Sequence, residues 1–399
     1  MLHIVLKLFT VFIIFFTSGF TFAAEKRKKT VILVSIDGMR WDYLKLHQPK
    51  HLMSLQKTGL STERLIPVFP SKTFPNHYSI VTGLYAENHG IISNRFYDPD
   101  FNETYSLGNN KAVANGKWYG GEPIWVTARR QGVRSACFFW PGSEAEIKGM
   151  RPNIYKKYDE RVPGAVRVAQ VLEWLRSDNR PGFISLYFSE VDSKGHKYGP
   201  RSMETKKAVQ KVDSLLFDLS RGINRIGLEG VVDLVIVSDH GMADSNRKNS
   251  IEVSGLLKKA FIDRSIFSST MLMIWSKDVK KMAELFETTR NFDLIARQDI
   301  PARYRFKNNK RIPPYIAVPH QGWVFSNSDL DNRIAMGTHG YDNTQKDMSG
   351  VFIGHGPSFG AQKIKPFENI EVYTMIAHIL GINPAKNDGK DLLIPYIKP

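Results

Sequence analysis

Thr30-Val31-Ile32-Leu33-Val34-Ser35-Ile36-Asp37-Gly38 is largely apolar until it meets a carboxylate and a glycine. A near-continuous apolar run suits a strand buried on both faces, as in a parallel sheet covered by helices. Two later runs repeat the plan: Gly182 to Phe188 ends at Ser189-Glu190, and Val231 to Val237 ends at Ser238-Asp239. Helical patterns lie between them. Val162, Val166, Val171, Leu172 and Leu175 share roughly one face, as do Val209, Val212, Leu215, Leu216, Leu219 and Ile223. Strand and helix alternate, so the predicted class is α/β, with a central, mostly parallel sheet flanked by helices. The pattern changes after about Val253. Met271 to Trp275 reads as a strand, Asp278 to Thr289 as a helix, and short β-like runs follow around Phe292–Ile295 and Tyr315–Val318. Residues 255–335 are therefore expected to form a small α+β subdomain, inserted before the chain returns to the main sheet.

At 399 residues the chain can bury a large core, and its 42% hydrophobic share excludes a disordered protein. The first 24 residues stand apart. Lys7 precedes an almost wholly apolar Leu8 to Phe16, and Thr21-Phe22-Ala23-Ala24 resembles a small-residue cleavage site. Residues 1–24 read as a secretory signal peptide, which leaves 25–399 as the mature domain. The competing reading is a retained N-terminal anchor, for which the apolar stretch falls short of the about 20 residues a span needs. No later stretch is long and apolar enough to cross a membrane. Cys137 is the sole cysteine, so no intramolecular disulfide can form. An exported chain of this size without one fits a bacterial periplasm better than an animal extracellular space, so a periplasmic or secreted location is expected. The net charge of +16 would attract anionic substrates, lipids or polymers. Lys and Arg are spread along the chain and no nucleic-acid motif is present. Oligomeric state has no signature here.

The strand ends carry the chemistry. Asp37 closes the first run, Asp192 and His196 follow the second, and Asp239-His240 close the third. His339 lies in Gly337-Thr338-His339-Gly340. Sites in open α/β sheets form at the carboxyl ends of strands, and buried charge is costly unless paired or metal-bound. Each residue alone is ambiguous, since an Asp after a strand is more often a turn or cap. Their joint occurrence points to metal binding. Thr73 is a candidate nucleophile. Pro75 suits the first turn of a helix running to a stop at Gly83, which sets Thr73 at a helix N-terminus, where backbone dipoles favour negative charge. Locally, Thr73 as a mere cap and Ser71 as a rival nucleophile remain open.

These residues sit in longer motifs. They are Ser35-Ile36-Asp37-Gly38-Met39-Arg40, Phe69 to Tyr78 with Thr82-Gly83-Leu84-Tyr85, His89-Gly90-Ile91, Asn94 and Gly121-Glu122-Pro123-Ile124-Trp125. Asp192-x-x-x-His196-x-x-Gly199-Pro200, Ser238 to Met242 and Thr338 to Asn343 complete the set. In this order they resemble the nucleotide pyrophosphatase/phosphodiesterase family of the alkaline phosphatase superfamily, over nearly the whole mature chain. The resemblance implies an alkaline-phosphatase-like sheet and two zinc ions. One ion would be held by Asp37, Thr73, Asp239 and His240, the other by Asp192, His196 and His339. Carboxylate and imidazole together suit Zn²⁺ with positions left open for substrate. It further implies a threonyl-phosphate on Thr73 and a residue matching Asn94 that donates to a phosphoryl oxygen.

The implied substrate is a small phosphodiester or nucleotide, cleaved to a nucleoside 5′-monophosphate. Phe74, beside the nucleophile, is a candidate wall for the second ester group. Tyr187, with one of Tyr155 or Tyr158, is a candidate to stack a base, against the plain alternative of packing. A sulfatase would need a C/S-x-P-x-R context, which Cys137-Phe138-Phe139-Trp140 lacks. An alkaline phosphatase typically has Ser in place of Thr73 and a third metal site, which cannot be assembled here. A choline-phosphodiester hydrolase is the alternative within the family. A non-catalytic binding protein on this fold predicts a lost ligand or nucleophile, and all seven positions are present.

Overall fold

The computed structural model describes residues 29–259, 262–288, 290–327 and 335–398. The leader at 1–24 lies outside them. The main sheet has eight strands. In chain order these are β1 (Thr30–Ile36), β2 (Leu60–Thr62), β3 (Ser135–Phe138), β4 (Ile154–Tyr155), β5 (Phe183–Phe188), β6 (Val232–Val237), and later Phe352–His355 and Gln362–Ile364. All run the same way except Phe352–His355, which lies antiparallel to both of its neighbours. β1 is central, with β5 on one side and β6 on the other. Val34 pairs with Leu186 and with Ile236. Three adjacent strands therefore end together.

Side chains of β1 alternate across the sheet, as a two-residue period requires. Val31 and Leu33 face one core with helix α1 (Thr73–Thr82). Ile32, Val34 and Ile36 face the other, with helices α2 (Gly164–Arg176) and α4 (Met203–Arg225). Helix α3 (Glu190–Tyr198) directly follows β5. In α4 the six expected apolar residues are all buried. In α2 the expected face is partly wrong. Val166 is 50% exposed, and the buried side carries Arg167, Val168, Val171, Trp174 and Leu175. Arg167 takes the inward position because its guanidinium donates to the carbonyls of Val162 and Tyr187, satisfying a buried cation without a carboxylate.

A second sheet is antiparallel and four-stranded. Its strands are Arg264–Ser268, Met271–Trp275, Phe292–Ala296 and Tyr315–Pro319. Helix α5 (Val279–Thr288) joins the second of these to the third. The segment between Phe292–Ala296 and Tyr315–Pro319 packs on the main body. Tyr304 stacks on Phe69 with ring centroids 3.9 Å apart, and Arg311 Nε donates to buried Asp98 at 2.6 Å. The chain then returns through Gly337–Thr338, which pairs with Ala243–Asp244.

Candidate active site

Helix α1 begins at Thr73 because Lys72 before it is extended, and it ends where Gly83 adopts a left-handed φ of 66°. Neither Lys72 nor Thr73 caps its first turn with a side chain, and the Phe74 N–H goes to Asn94 Oδ1. The Thr73 hydroxyl turns instead to His240, with Oγ1 3.3 Å from Nε2. Ser71 is fully buried and donates to the carbonyl of Tyr341 at 3.1 Å, so it is already engaged. Thr73 lines a cavity of about 330 Å³ and Ser71 does not.

The ends of β1, β5 and β6 bring Asp37, Asp192, Asp239 and His240 together, and the loop after Gly337–Thr338 adds His339. Among the described residues, three overlapping groups have donor atoms within 4.8 Å of one another: Asp192–His196–His339, Asp37–Asp192–His240 and Asp37–His77–Asp239. Gly38 makes the convergence possible. It sits at φ +68°, and a Cβ there would fall 3.0 Å from the Cα of Asp192.

The histidine tautomers follow from their partners. Nδ1 of His240 lies 2.8 Å from the Gly241 carbonyl, that of His196 2.8 Å from the Gly337 carbonyl, and that of His339 2.8 Å from the Ser71 carbonyl. A carbonyl only accepts, so each Nδ1 carries a proton and donates it. In the neutral ring each Nε2 lone pair then points inward. The Nε2 of His240 is 3.0 Å from Asp239 Oδ2 and 3.5 Å from Asp37 Oδ1. Those of His196 and His339 are 3.4 Å and 3.7 Å from Asp192 Oδ1. The same three carboxylate oxygens are buried without a hydrogen-bond donor. Lone pairs facing lone pairs in a dry site repel unless a cation lies between them, so this donor set fits divalent metal, and its mix of N and O fits zinc.

In the metal-free fold, protons take the place of that cation. Burial, then the neighbouring Asp239 and Asp192 charges, holds Asp37 well above the usual carboxylate range. Burial raises Asp192 to about 7 despite His240. For Asp239, burial is outweighed by His240 and His77, and it stays well below the usual range. His240 reaches about 9: burial pulls it down, but Asp239 pulls it further up. Burial lowers His339, helped by the nearby His240 and His196.

Supporting contacts surround the carboxylates. Tyr187 donates its hydroxyl to Asp37 Oδ2 at 2.6 Å, and Gly38 N–H donates to Asp239 Oδ1 at 3.3 Å. His77 was not foreseen from the sequence. Its Nδ1 meets the Thr73 carbonyl at 2.9 Å and Asp239 Oδ2 at 3.2 Å, while Nε2 meets Ser35 Oγ at 2.8 Å. With its Nδ1 proton on the Thr73 carbonyl and Nε2 taken by Ser35, His77 packs against Asp239 Oδ2 and does not offer a lone pair. Its place four residues after Thr73, on the same helical face, was the available signal. Lys72 is buried too, its Nζ 2.6 Å from Thr270 Oγ1, and burial lowers it to about 7.

Phe74, Asn94, Tyr158 and Tyr187 line the cavity. Asn94 Oδ1 accepts the N–H of Phe74 at 2.9 Å, so its amide NH₂ is the end left to donate. Tyr158 is 48% exposed, and its N–H is held by Glu144 Oε1 at 2.8 Å. Of the two tyrosines between which the sequence left the choice, Tyr155 does not line the cavity. It belongs to β4, opposite Cys137, and packs on the core away from the cavity. Tyr187 is only 8% exposed with its hydroxyl committed to Asp37, so it offers little face for stacking. Leu107, Asn110, Val113 and Glu144 also line the cavity, from loops and short elements without a sequence pattern to reveal them.

Residues 31–342 match the family described as type I phosphodiesterase / nucleotide pyrophosphatase. Ectonucleotide pyrophosphatase/phosphodiesterase family member 1 of Rattus norvegicus is 39% identical over 385 residues, covering 92% of this chain and 42% of that protein. A venom phosphodiesterase of Crotalus durissus collilineatus is 38% identical, over 90% of this chain and 45% of its own length. The chain thus spans less than half the length of these curated relatives. Human ectonucleotide pyrophosphatase/phosphodiesterase 5 superposes with a TM-score of 0.87 at 32% identity, over 93% of this chain and 100% of that one. The murine protein of the same name, solved as an inactive threonine-to-alanine variant in complex with AMP, gives 0.86 at 31% identity over the same shares. This chain belongs to the type I phosphodiesterase / nucleotide pyrophosphatase family, within the alkaline phosphatase superfamily.

Proposed function

We propose that the chain is an exported two-zinc phosphodiesterase that cleaves nucleotide phosphodiester or pyrophosphate bonds to nucleoside 5′-monophosphates, with Thr73 as nucleophile. The observation that carries this is the Thr73 hydroxyl at the edge of the three orphaned carboxylate oxygens and inward Nε2 atoms, on the floor of an open cavity. Asp37, Thr73, Asp239 and His240 would hold one ion, and Asp192, His196 and His339 the other. When bound, the ions would supply a lowered hydroxyl pKa and neutralise charge on the leaving oxygen.

The protein's own groups do the rest. Thr73 Oγ1 forms a bond to phosphorus as the bond to the leaving oxygen breaks, and its hydroxyl proton is released. Water then attacks phosphorus, the Thr73 Oγ1–P bond breaks, and the threonine regains a proton as the monoester departs. The N-terminus of α1 and the Asn94 amide face the phosphoryl oxygens, favouring negative charge where it develops. Phe74 and Tyr158 flank the space for a base. The murine neighbour's AMP complex, and its description as inactive after loss of a threonine, support this assignment. The signal-like leader and the venom origin of relatives support export. No helix among the described residues is long and apolar enough to cross a membrane.

The test compares kcat/KM on p-nitrophenyl thymidine 5′-monophosphate, p-nitrophenylphosphorylcholine and p-nitrophenyl phosphate. The nucleotide ester should win clearly. A choline-ester winner selects the alternative within the family, and a monoester winner rejects the diesterase reading. Chelation should remove activity and Zn²⁺ restore it. Recovery with Mg²⁺ alone would remove the zinc assignment.

A further inference from the structure

Lys72, Thr270 and His339 come from three distant segments, and one hydroxyl joins them. Thr270 lies in the turn between strands Arg264–Ser268 and Met271–Trp275 of the second sheet and is fully buried. Its Oγ1 donates to the His339 carbonyl at 2.8 Å and accepts from Lys72 Nζ at 2.6 Å. A hydroxyl has one proton and two lone pairs, so both bonds stand together. Beside it, Ser269 Oγ is 3.1 Å from Thr338 Oγ1, and the Ser269 carbonyl accepts the N–H of Phe325 at 2.8 Å. Gly340 presses the junction shut. Its φ is +104°, and a Cβ there would fall 2.3 Å from Thr270 Oγ1 and 2.7 Å from Lys72 Nζ.

His339 needs such support more than its fellows. His196 is fixed by the bonds of α3, and His240 lies three residues past the six-residue strand β6, which is paired on both sides. His339 lies on a loop after a two-residue strand, and its ring is held by the Ser71 carbonyl at Nδ1 and by stacking on His240, with centroids 3.5 Å apart. We infer that the Ser269–Thr270 turn of the second sheet is a positioning device for His339. It pins the backbone from which Nε2 is aimed at Asp192, and through Lys72 it ties that aim to the residue before Thr73. This rests on the two-ion reading above, and it gives the second sheet a part in the chemistry without a contact to substrate.

The experiment titrates Zn²⁺ into metal-free wild type, Thr270→Val, Thr270→Ala and Thr270→Ser by calorimetry, with thermal unfolding of each metal-free protein alongside. Wild type should take two ions. Loss of the hydroxyl in the Val and Ala variants should weaken one ion by about tenfold to a hundredfold and leave the other within about twofold, as loss of an outer partner of a metal ligand does. Ser, which keeps the hydroxyl, should bind both ions like wild type. Equal binding by all four proteins overturns the inference. So does a Ser variant as weak as Ala, which would assign the effect to the lost methyl group. If Val fails to fold, Ala against Ser decides on the same terms. A wild type that binds no zinc overturns the two-ion reading itself, and the wild-type titration alone reveals that.

Discussion

On the cavity floor, Asp37, Asp239 and His240 lie within three residues of the ends of inner strands and are at most 2% exposed, whereas on its wall Tyr158 is 48% exposed on a loop. The floor is held by the sheet register and by donors to nearly every atom that does not face inward. The wall is held by single contacts, such as Glu144 on the N–H of Tyr158. Rigid strand ends can oppose three like charges at short range, because neighbouring strands cannot drift apart without losing the core. A wall built from loops suits the part of a substrate that varies. The floor should therefore govern turnover and metal binding, and the wall should govern affinity.

The strongest attack on that division removes the nucleophile proposed for the floor. Thr73→Ala should lower kcat by about 10⁴-fold or more while zinc stoichiometry holds, in line with losses of a nucleophile elsewhere. Substantial residual turnover, measured with the nucleotide ester, would move the chemistry off Thr73. Proton competition comes next. Asp192, raised to about 7, keeps a proton in the metal-free fold below that pH, and His240, raised to about 9, keeps one below that value. Zinc bound as proposed would have to displace both. Affinity should thus fall as pH drops from about 9, most steeply below about 7, by about tenfold or more per unit there. Calorimetry in buffers of different ionisation enthalpy should show proton release, and a flat affinity between pH 9 and 6 would contradict the crowding of the carboxylates.

Tyr187→Phe sharpens the boundary, since Tyr187 lines the cavity yet grips Asp37. It should behave as a floor residue, costing about 10- to 100-fold in zinc affinity or kcat with KM little changed. A change confined to KM would return it to the wall. The smallest expected effect belongs to Tyr158→Ala. Losing one stacked ring should raise KM for nucleotide esters by about 5- to 100-fold and spare kcat and small diesters lacking a base. Equal losses on both substrate types would break the comparison.

Much of the floor was legible in the chain, and for a local reason. An apolar run that stops at Asp-Gly, Glu or Asp-His marks both a buried strand and its polar end, so Asp37, Asp192 and Asp239-His240 stood out before any contact was known. The wall gave no such signal. Tyr155 and Tyr158 are three residues apart in an irregular stretch, and only the pairing of β4 with β3 turned Tyr155 toward the core. Val166 looked like a core residue by spacing, until Arg167 found carbonyls to serve and took the inward place.

By itself the sequence determined the α/β alternation, the strand ends that bear carboxylates, and the start and stop of the helix behind Thr73. Those are consequences of periodicity, of proline and glycine geometry, and of the cost of burying charge. Only the tertiary structure decided that the Thr73 hydroxyl faces His240 while Ser71 is spent on a carbonyl, that three histidines turn their Nε2 atoms inward, and that His77 and Thr270 are buried beside the site. Those outcomes depend on partners up to 270 positions away in the chain, and a hydrogen bond's direction is set by where its partner ends up, which no local pattern encodes.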